Sequence, residues 1–481
     1  MNVRFILYVL GSLLCIEGIL LAFPILVALL YGEHDWLPIL YSAVIALSLG
    51  ELCRHGNKNC SKEISKREGF FIVSAVWIVF AFFGSLPFIF SGYVPSVSDA
   101  FFEAMSGFTT TGASILRDIE ALPHGLLFWR ALMQFMGGIG ILVLCIAVLP
   151  IFGVGSMNIY QAETSTLPVG EKYKPRFKDF ARQIFRIYLI LNITCFLLYL
   201  PDMDVFDALC HAFSTTATGG FSTKNASIGH YPAYTQYITI LFMLMGSIPF
   251  ILFSYARKRE FGKINKSEEF RFYLIVIAVA SLIVCTGLFF DKNSAATALH
   301  EGLFNVVSMT STTGYVVNDY MQWRPPLYFI IFLLAFIGGC AGSTSGGMKI
   351  VRFLLLIRMM PLQFKRILHQ NAIIQVKLNK QNVSGERLAH TLAFFIIFLC
   401  TYIAGVFLLM ICGLNFTTAF GTSISCLANT GIGLDQTGPA GNFADLTAAA
   451  KWLCSFLMLL GRLEVYSLLI LFSPAFWKKY A

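Results

Sequence analysis

Apolar residues run along this chain in long blocks, not in the alternating or every-third-residue pattern of a half-buried surface. Ten blocks approach or exceed the roughly 20 mostly apolar residues that a helix needs to cross a bilayer. They occupy 4–31, 37–53, 70–92, 126–152, 183–201, 233–255, 271–290, 325–357, 388–413 and 450–473. The polar segments between them alternate in charge. Of the 35 Lys and Arg, 28 fall in one set: Arg4, 51–69, 153–186, 257–271, 349–387 and the tail at Lys478 and Lys479. The positive-inside rule makes that set cytoplasmic. Both termini are then inside, as an even number of spans requires. The first block stays apolar far beyond a signal-peptide core and shows no small-residue cleavage site ahead of a soluble domain, so it is predicted to be retained.

Four external segments share one pattern: a short amphipathic stretch, then small hydroxyl residues, then Thr-Gly. They read Phe102–Gly112, Leu209–Gly219, Phe304–Gly314 and Gly421–Gly431. The returning spans echo the repeat with Gly137, Gly246, Gly338 and Gly461. A single Thr-x-Thr-Gly is an ordinary loop sequence; four at matching offsets define a repeat. Each unit starts inside, goes out, re-enters and returns. The four units therefore have the same orientation, and the axis relating them lies along the membrane normal, unlike the inverted repeats of many secondary transporters.

The stretch before each Thr-Gly is too short to span and suits a half-membrane helix. Irregular backbone at that depth is tolerated only where protein buries it or it lines water. The returning strands are thus expected to line a central pathway, where carbonyls replace an ion's hydration shell. Gly admits the positive φ this requires. The predicted filter residues are Thr110, Thr111 and Gly112; Ala217, Thr218 and Gly219; Thr312, Thr313 and Gly314; and Asn429, Thr430 and Gly431. Carbonyls without carboxylates suit a monovalent cation. With Ala113, Gly220, Tyr315 and Ile432 following, only one layer is expected to be nearly four-fold.

The eighth block contains Gly338-Gly-Cys-Ala-Gly-Ser-Thr-Ser-Gly-Gly347. Each Gly costs a helix interior about 1 kcal/mol relative to Ala. Two half-helices joined by a loop projecting into the pore are expected, with Gly338, Gly339, Gly342, Ser343, Thr344, Ser345, Gly346 and Gly347 as a gate. The string fails as a phosphate loop, because Lys349 follows Gly347 by two places and Ile350 stands where Ser or Thr is needed. Arg462 and Glu464 lie inside the last block, where charges are costly and usually functional. Arg462 is expected either to face the pore and hold the loop closed or to form a structural salt bridge.

Composition agrees. The chain is 57% hydrophobic and 13% charged, with 46 Phe. A soluble domain carries about 25% charged residues, so a soluble enzyme, a disordered chain and a nucleic-acid binder are excluded. No Cys or His cluster at metal spacing occurs among the 12 Cys and 8 His. The net charge of +9 records topology. Basic residues gather inside, whereas the external segments are acidic, with Asp99, Glu103, Asp207 and Glu301 in or near the half-helices as candidates for attracting cations.

These features resemble the Trk/Ktr/HKT superfamily of cation transporters over nearly the whole chain. The resemblance rests on the four Thr-Gly segments and on Gly338–Lys349. The two extra N-terminal spans match its TrkH-type bacterial potassium-uptake subunits best. The implied fold is an all-α polytopic membrane protein: two additional helices (1–53), then four parallel M1–P–M2 pseudo-repeats around a central pore (70–152, 183–255, 271–357, 388–473). The resemblance implies K⁺ as transported ion, no cofactor in this chain, and the bacterial cytoplasmic (inner) membrane. It also implies a homodimer with a pore in each subunit, and a TrkA-like cytosolic RCK partner that binds NAD(H) or ATP/ADP and moves the loop. The basic segments Lys172–Arg186, Arg257–Arg271 and Lys349–Lys380 are candidate docking surfaces. A K⁺/H⁺ or K⁺/Na⁺ symporter is the alternative; it needs a titratable or ion-coupling group on the pathway, and only Glu17, Arg462 and Glu464 lie within spans.

Overall fold

The computed structural model describes residues 1–60, 65–140, 177–292, 294–369 and 375–478. The second half of the predicted span 126–152, the start of the basic segment at Lys172, part of the one ending at Lys380, and Lys479 lie outside the described residues.

The chain is an all-helical polytopic membrane protein. Two helical segments lead, Val3–Tyr31 and Trp36–Gly56. Small residues let these two backbones approach closely: Gly11 lies against the backbone of Gly50, and Gly18 against Ala43 and Leu47. Small residues at such contacts are the usual device in membranes, where lipid offers no hydrophobic drive to association.

Four units follow. Their outer helices are Lys66–Phe90, Phe177–Tyr199, Glu268–Lys292 and Gly385–Ile411. Each leads into a pore helix: Val97–Phe108, Val205–Thr216, Ala295–Thr310 and Phe416–Leu427. At 1.5 Å per residue these short helices reach only partway through the roughly 30 Å hydrocarbon layer. Asp204, Ser294 and Asn415 cap three of them by accepting a backbone N–H from the first turn. The inner helices, His124–Gly138, Ala233–Ser247, Pro325–Ile337 and Ala448–Arg462, follow the strands that leave the pore helices. Exposed Leu197, Leu282, Phe290 and Phe407 give the outer helices an apolar surface for lipid.

The blocks 233–255 and 450–473 were expected to be single spans, and the structure corrects this. The second inner helix bends by 98° into Phe250–Arg257, and the fourth by 109° before Tyr466–Phe472. The first break falls at Ile248, whose extended backbone (ψ 156) precedes Pro249; proline disfavours helical geometry in the residue before it. The second falls where Glu464 and Val465 both take positive φ.

Buried polar contacts tie each pore helix to the strand that leaves it. The residue nine places before Gly112, Gly220, Gly314 or Gly431 reaches across in every unit. Glu103 accepts the N–H of Ile115, and His211 pairs with Ser222. Asn305 donates to Asn318, and Thr422 meets Thr437. In the first unit Arg130, from the inner helix, completes the brace. Its Nε lies 2.8 Å from Glu103, its Nη1 donates to the Ser222 carbonyl, and its guanidinium stacks 4.1 Å from the Phe221 ring. Both partners of this ion pair are buried. The acidic residues expected to bias the outer mouth thus have structural partners: Asp99 meets Lys451, Asp207 meets Thr223 and Tyr231, and Glu301 meets Asn318.

Removing one member of a buried ion pair strands the other, at a cost of about 3–5 kcal/mol. Glu103→Ala should therefore lower the thermal midpoint of the detergent-solubilised protein clearly. Glu103→Ala/Arg130→Met should recover much of the loss. A single variant as stable as the parent would contradict the bracing role.

Candidate functional site

The four pore helices end with their C-termini at one place, so each directs the negative end of its dipole, about half a charge, at a common axis. The chain then turns the same way four times. The residue after each C-cap has positive φ: Thr110 (53°), Thr218 (51°), Thr312 (57°) and Asn429 (54°). Two places on comes a glycine with positive φ: Gly112 (83°), Gly220 (80°), Gly314 (74°) and Gly431 (82°). Left-handed geometry is rare for a β-branched residue, and such strain costs on the order of 1–3 kcal/mol per residue. Three threonines hold it at equivalent positions.

This sets the register and shifts the second strand by one residue. The structural counterpart of Thr110-Thr111-Gly112 is Thr218-Gly219-Gly220, not Ala217-Thr218-Gly219. Ala217 is the C-cap of its pore helix, the place of Thr109, Ser311 and Ala428. The amide hydrogen bonds agree: Thr111, Gly219, Thr313 and Thr430 donate to the carbonyls of Ser106, Ser214, Ser308 and Ser425. A serine six places before each glycine was the signal for this register; the more conspicuous Thr218-Gly219 hid it. In the corrected frame Gly220 belongs to the four-fold layer.

The strands close into a ring. A Cβ on Gly112 would strike the carbonyl oxygen of Gly219, one on Gly220 that of Thr313, one on Gly314 that of Thr430, and one on Gly431 that of Thr111. Each strand thus packs a bare Cα against its neighbour's carbonyl, and the fourth contacts the first. The inner-helix glycines serve the same closeness. Gly137 and Gly461 abut the terminal pore-helix carbonyls of Phe108 and Leu427, and Gly246 abuts that of Thr216. Gly338 differs, lying against Gly346 and Gly347 instead.

The segment 338–349 crosses beneath this ring, touching the second, third and fourth units directly and the first through Arg462. Cys340 and Thr344 donate N–H groups to Ser247 and Gly246 of the second unit, at 2.9 and 3.1 Å. The Thr344 hydroxyl donates to the carbonyls of Gly246 (2.9 Å) and Thr216 (3.1 Å), and the Thr218 hydroxyl lies 3.3 Å from it. Gly346 donates its N–H to the Thr312 hydroxyl at 2.7 Å. Gly347 donates to the carbonyl of Ala428 in the fourth unit. Ser343 donates to the Cys340 carbonyl within the loop, and Gly339 lies against Ser345. Contact with the first unit runs through Arg462, which donates to the Thr110 hydroxyl (3.1 Å), the Thr344 carbonyl (3.2 Å) and the Gly137 carbonyl. Glu464 pairs with Arg352 at 2.6 Å. Arg462 is therefore beside the loop, and the sequence-predicted gate residues form one assembly under the ring. Sequence reasoning missed Gly220, Arg130 and Gln134; Gln134 donates to the Gly219 carbonyl at 2.7 Å and accepts from Phe221.

Helices, re-entrant segments and a closed axial ring define a polytopic membrane protein of the outer–pore–inner repeat class. The family model described as TrkH, cation transport protein, matches residues 38–479. The Trk system potassium uptake protein TrkH of Salmonella typhimurium is 37% identical over all of both chains. TrkI of Halomonas elongata is 36% identical over 98% of this chain and 97% of its own. The crystal structure of the potassium transporter TrkH from Vibrio parahaemolyticus superposes with a TM-score of 0.89 at 34% identity, covering 99% of this chain and 100% of that one. The chain belongs to the TrkH family of cation transport proteins.

The register is testable. A side chain at Gly220 meets neighbouring backbone and needs positive φ, whereas one at Gly219 first meets the end of the Gln134 side chain. Gly220→Ala should abolish cation uptake by cells expressing it, and Gly219→Ala should retain a measurable part. The reverse order would refute the register.

Proposed function

We propose that this protein is the membrane subunit of a bacterial potassium-uptake system, and that K⁺ passes through the four-strand ring. The observation that carries this is the ring itself, with its alternating positive φ and its close glycine–carbonyl contacts. Positive φ at alternate residues turns successive peptide planes alike, so their carbonyls can leave the strand on one side and replace ion hydration. Four pore-helix C-termini add negative potential at the same point. The side chains of the layer are hydroxyls, one amide and hydrogen atoms, which fits a monovalent cation. Curated relatives that match this chain end to end are named for potassium uptake.

The segment from Gly338 to Gly347, with Arg462, is the gate. Thr110, Thr218 and Thr312, the inner rim of three strands, are each engaged by Arg462, Thr344 or Gly346. An ion leaving inward meets this assembly first. A guanidinium beside the exit opposes a cation as well as blocking it. Opening requires the loop and Arg462 to move aside. The regulator is a TrkA-like cytosolic RCK subunit that binds NAD(H) or ATP/ADP, and it docks on basic cytoplasmic segments. The protein works as a homodimer in the cytoplasmic membrane with both termini inside. Uniport fits better than coupling to H⁺ or Na⁺, because ring and loop hold no carboxylate.

Rescue of a potassium-uptake-deficient bacterium at micromolar K⁺ tests the substrate; failure with the cytosolic partner co-expressed would sink the potassium assignment. In single-channel recordings, Arg462→Ala and a chain shortened by Gly342 and Ser343 should both conduct more without the partner. Unchanged flux in both would remove the loop and Arg462 as the barrier. Flux at a clamped K⁺ gradient should not depend on H⁺ or Na⁺; a fixed dependence would replace uniport by symport.

A further inference from the structure

We propose that the adjacent carboxylates Glu268 and Glu269 couple a cytoplasmic hairpin to the loop beneath the ring. The inference rests on the loop's being the gate.

The two glutamates open the third outer helix, Glu268–Lys292. Successive helical residues point about 100° apart, and these two reach different parts of the molecule. Glu269 faces the loop: its Oε1 accepts the Ala341 N–H at 2.6 Å. Glu268 faces the cytoplasmic side. Its Oε2 accepts the Asn379 N–H at 2.9 Å and an Arg358 guanidinium hydrogen at 2.6 Å, while its own N–H donates to Asn379 Oδ1 at 2.9 Å. Arg358 also donates to the Lys377 carbonyl.

The hairpin pairs Lys377–Leu378 with Gln381–Asn382. Its turn residues, Asn379 and Lys380, both have positive φ, as a tight two-residue hairpin turn requires. The hairpin is anchored. Val376 packs with Leu355 and Leu388, and Met359, Leu362, Leu378 and Val383 extend the cluster. Leu355, Arg358 and Met359 belong to the helix Ile350–Leu368, which begins where the loop ends. The hairpin and this helix therefore move as one body. Its tip stays exposed and carries Lys377 and Lys380.

Two routes join the exposed tip to the buried loop: the helix Ile350–Leu368, and the first turn of Glu268–Lys292, which carries both glutamates. A partner that shifts the hairpin pulls on that turn through the Glu268 contacts, and the same turn presents Glu269 to Ala341. These are positioning residues. Neither lies in the ring.

K⁺ flux through the full chain in proteoliposomes, with and without the nucleotide-binding partner, tests the coupling. Losing this buried hydrogen bond should favour the released loop about tenfold. Glu269→Ala should thus raise partner-free flux by about that factor, and Glu269→Gln, which keeps an acceptor oxygen, should behave like the parent. If the alanine variant does not fold, Glu269→Leu keeps bulk and should show the same rise. Glu268→Ala should keep flux near the parental level without partner yet lose the nucleotide-dependent response; a purely structural role would not separate these two readouts. Unchanged flux in Glu269→Ala and Glu269→Leu, or a full nucleotide response in Glu268→Ala, overturns the coupling. If the chain shortened by Gly342 and Ser343 still gains flux, the gate survives that result. If it does not, gate and coupling both fall.

Discussion

Everything in this molecule depends on four bare Cα positions facing four carbonyl groups. Backbone cannot enter a bilayer unless its polar groups are satisfied or face water. One re-entrant segment alone would violate that rule. Four segments meeting at an axis satisfy it, provided they come close enough to exclude lipid. Gly112, Gly220, Gly314 and Gly431 set that distance, each against the next strand's carbonyl. The short pore helices, the glycines of the inner helices and the buried polar braces all serve this closure. The Arg130–Glu103 pair is buried on both sides and bridges the exits of the first two strands.

The ring is nearly four-fold, whereas what lies beneath it is not. Among the described residues, only the third unit inserts a loop between the halves of its inner helix, and only the fourth supplies an arginine at that level. In the proposed reading one asymmetric insertion controls all four strands. The loop's partners include Thr216, Thr312 and Ala428, and Arg462 joins it to Thr110 and Gly137. Most of these bonds link a neutral donor to a neutral acceptor, and each contributes only about 0.5–1.5 kcal/mol. An assembly made this way is held firmly by its sum yet yields when a few contacts are withdrawn together, as the proposed gate requires.

Span positions, the repeat and the glycine-rich interruption were legible in the sequence because each is a matter of composition at fixed spacing. The register of the second strand was not. Thr218-Gly219 copies the Thr-Gly of the other strands, but backbone geometry follows the pore-helix end, and Ser214 marks that end better than any threonine does. The bends at Ile248 and at Glu464–Val465 also escaped, because apolar content is the same on both sides of a bend. Pro249 was the one local sign. The role of Arg130 also escaped, since a count of charges by segment cannot tell a solvated arginine from one buried against Glu103. Arg462 was legible because a charge inside an apolar block has no routine explanation, and the structure places it between ring and loop.

The central claim is that the ion's path runs through the ring. The most direct measurement is anomalous X-ray scattering from crystals of this protein grown in Rb⁺ or Tl⁺. The account predicts density on the axis at the level of Thr111, Gly219, Thr313 and Thr430, within coordination distance of backbone carbonyls. Ordered ions bound elsewhere in the membrane region, with none at the ring, would contradict it.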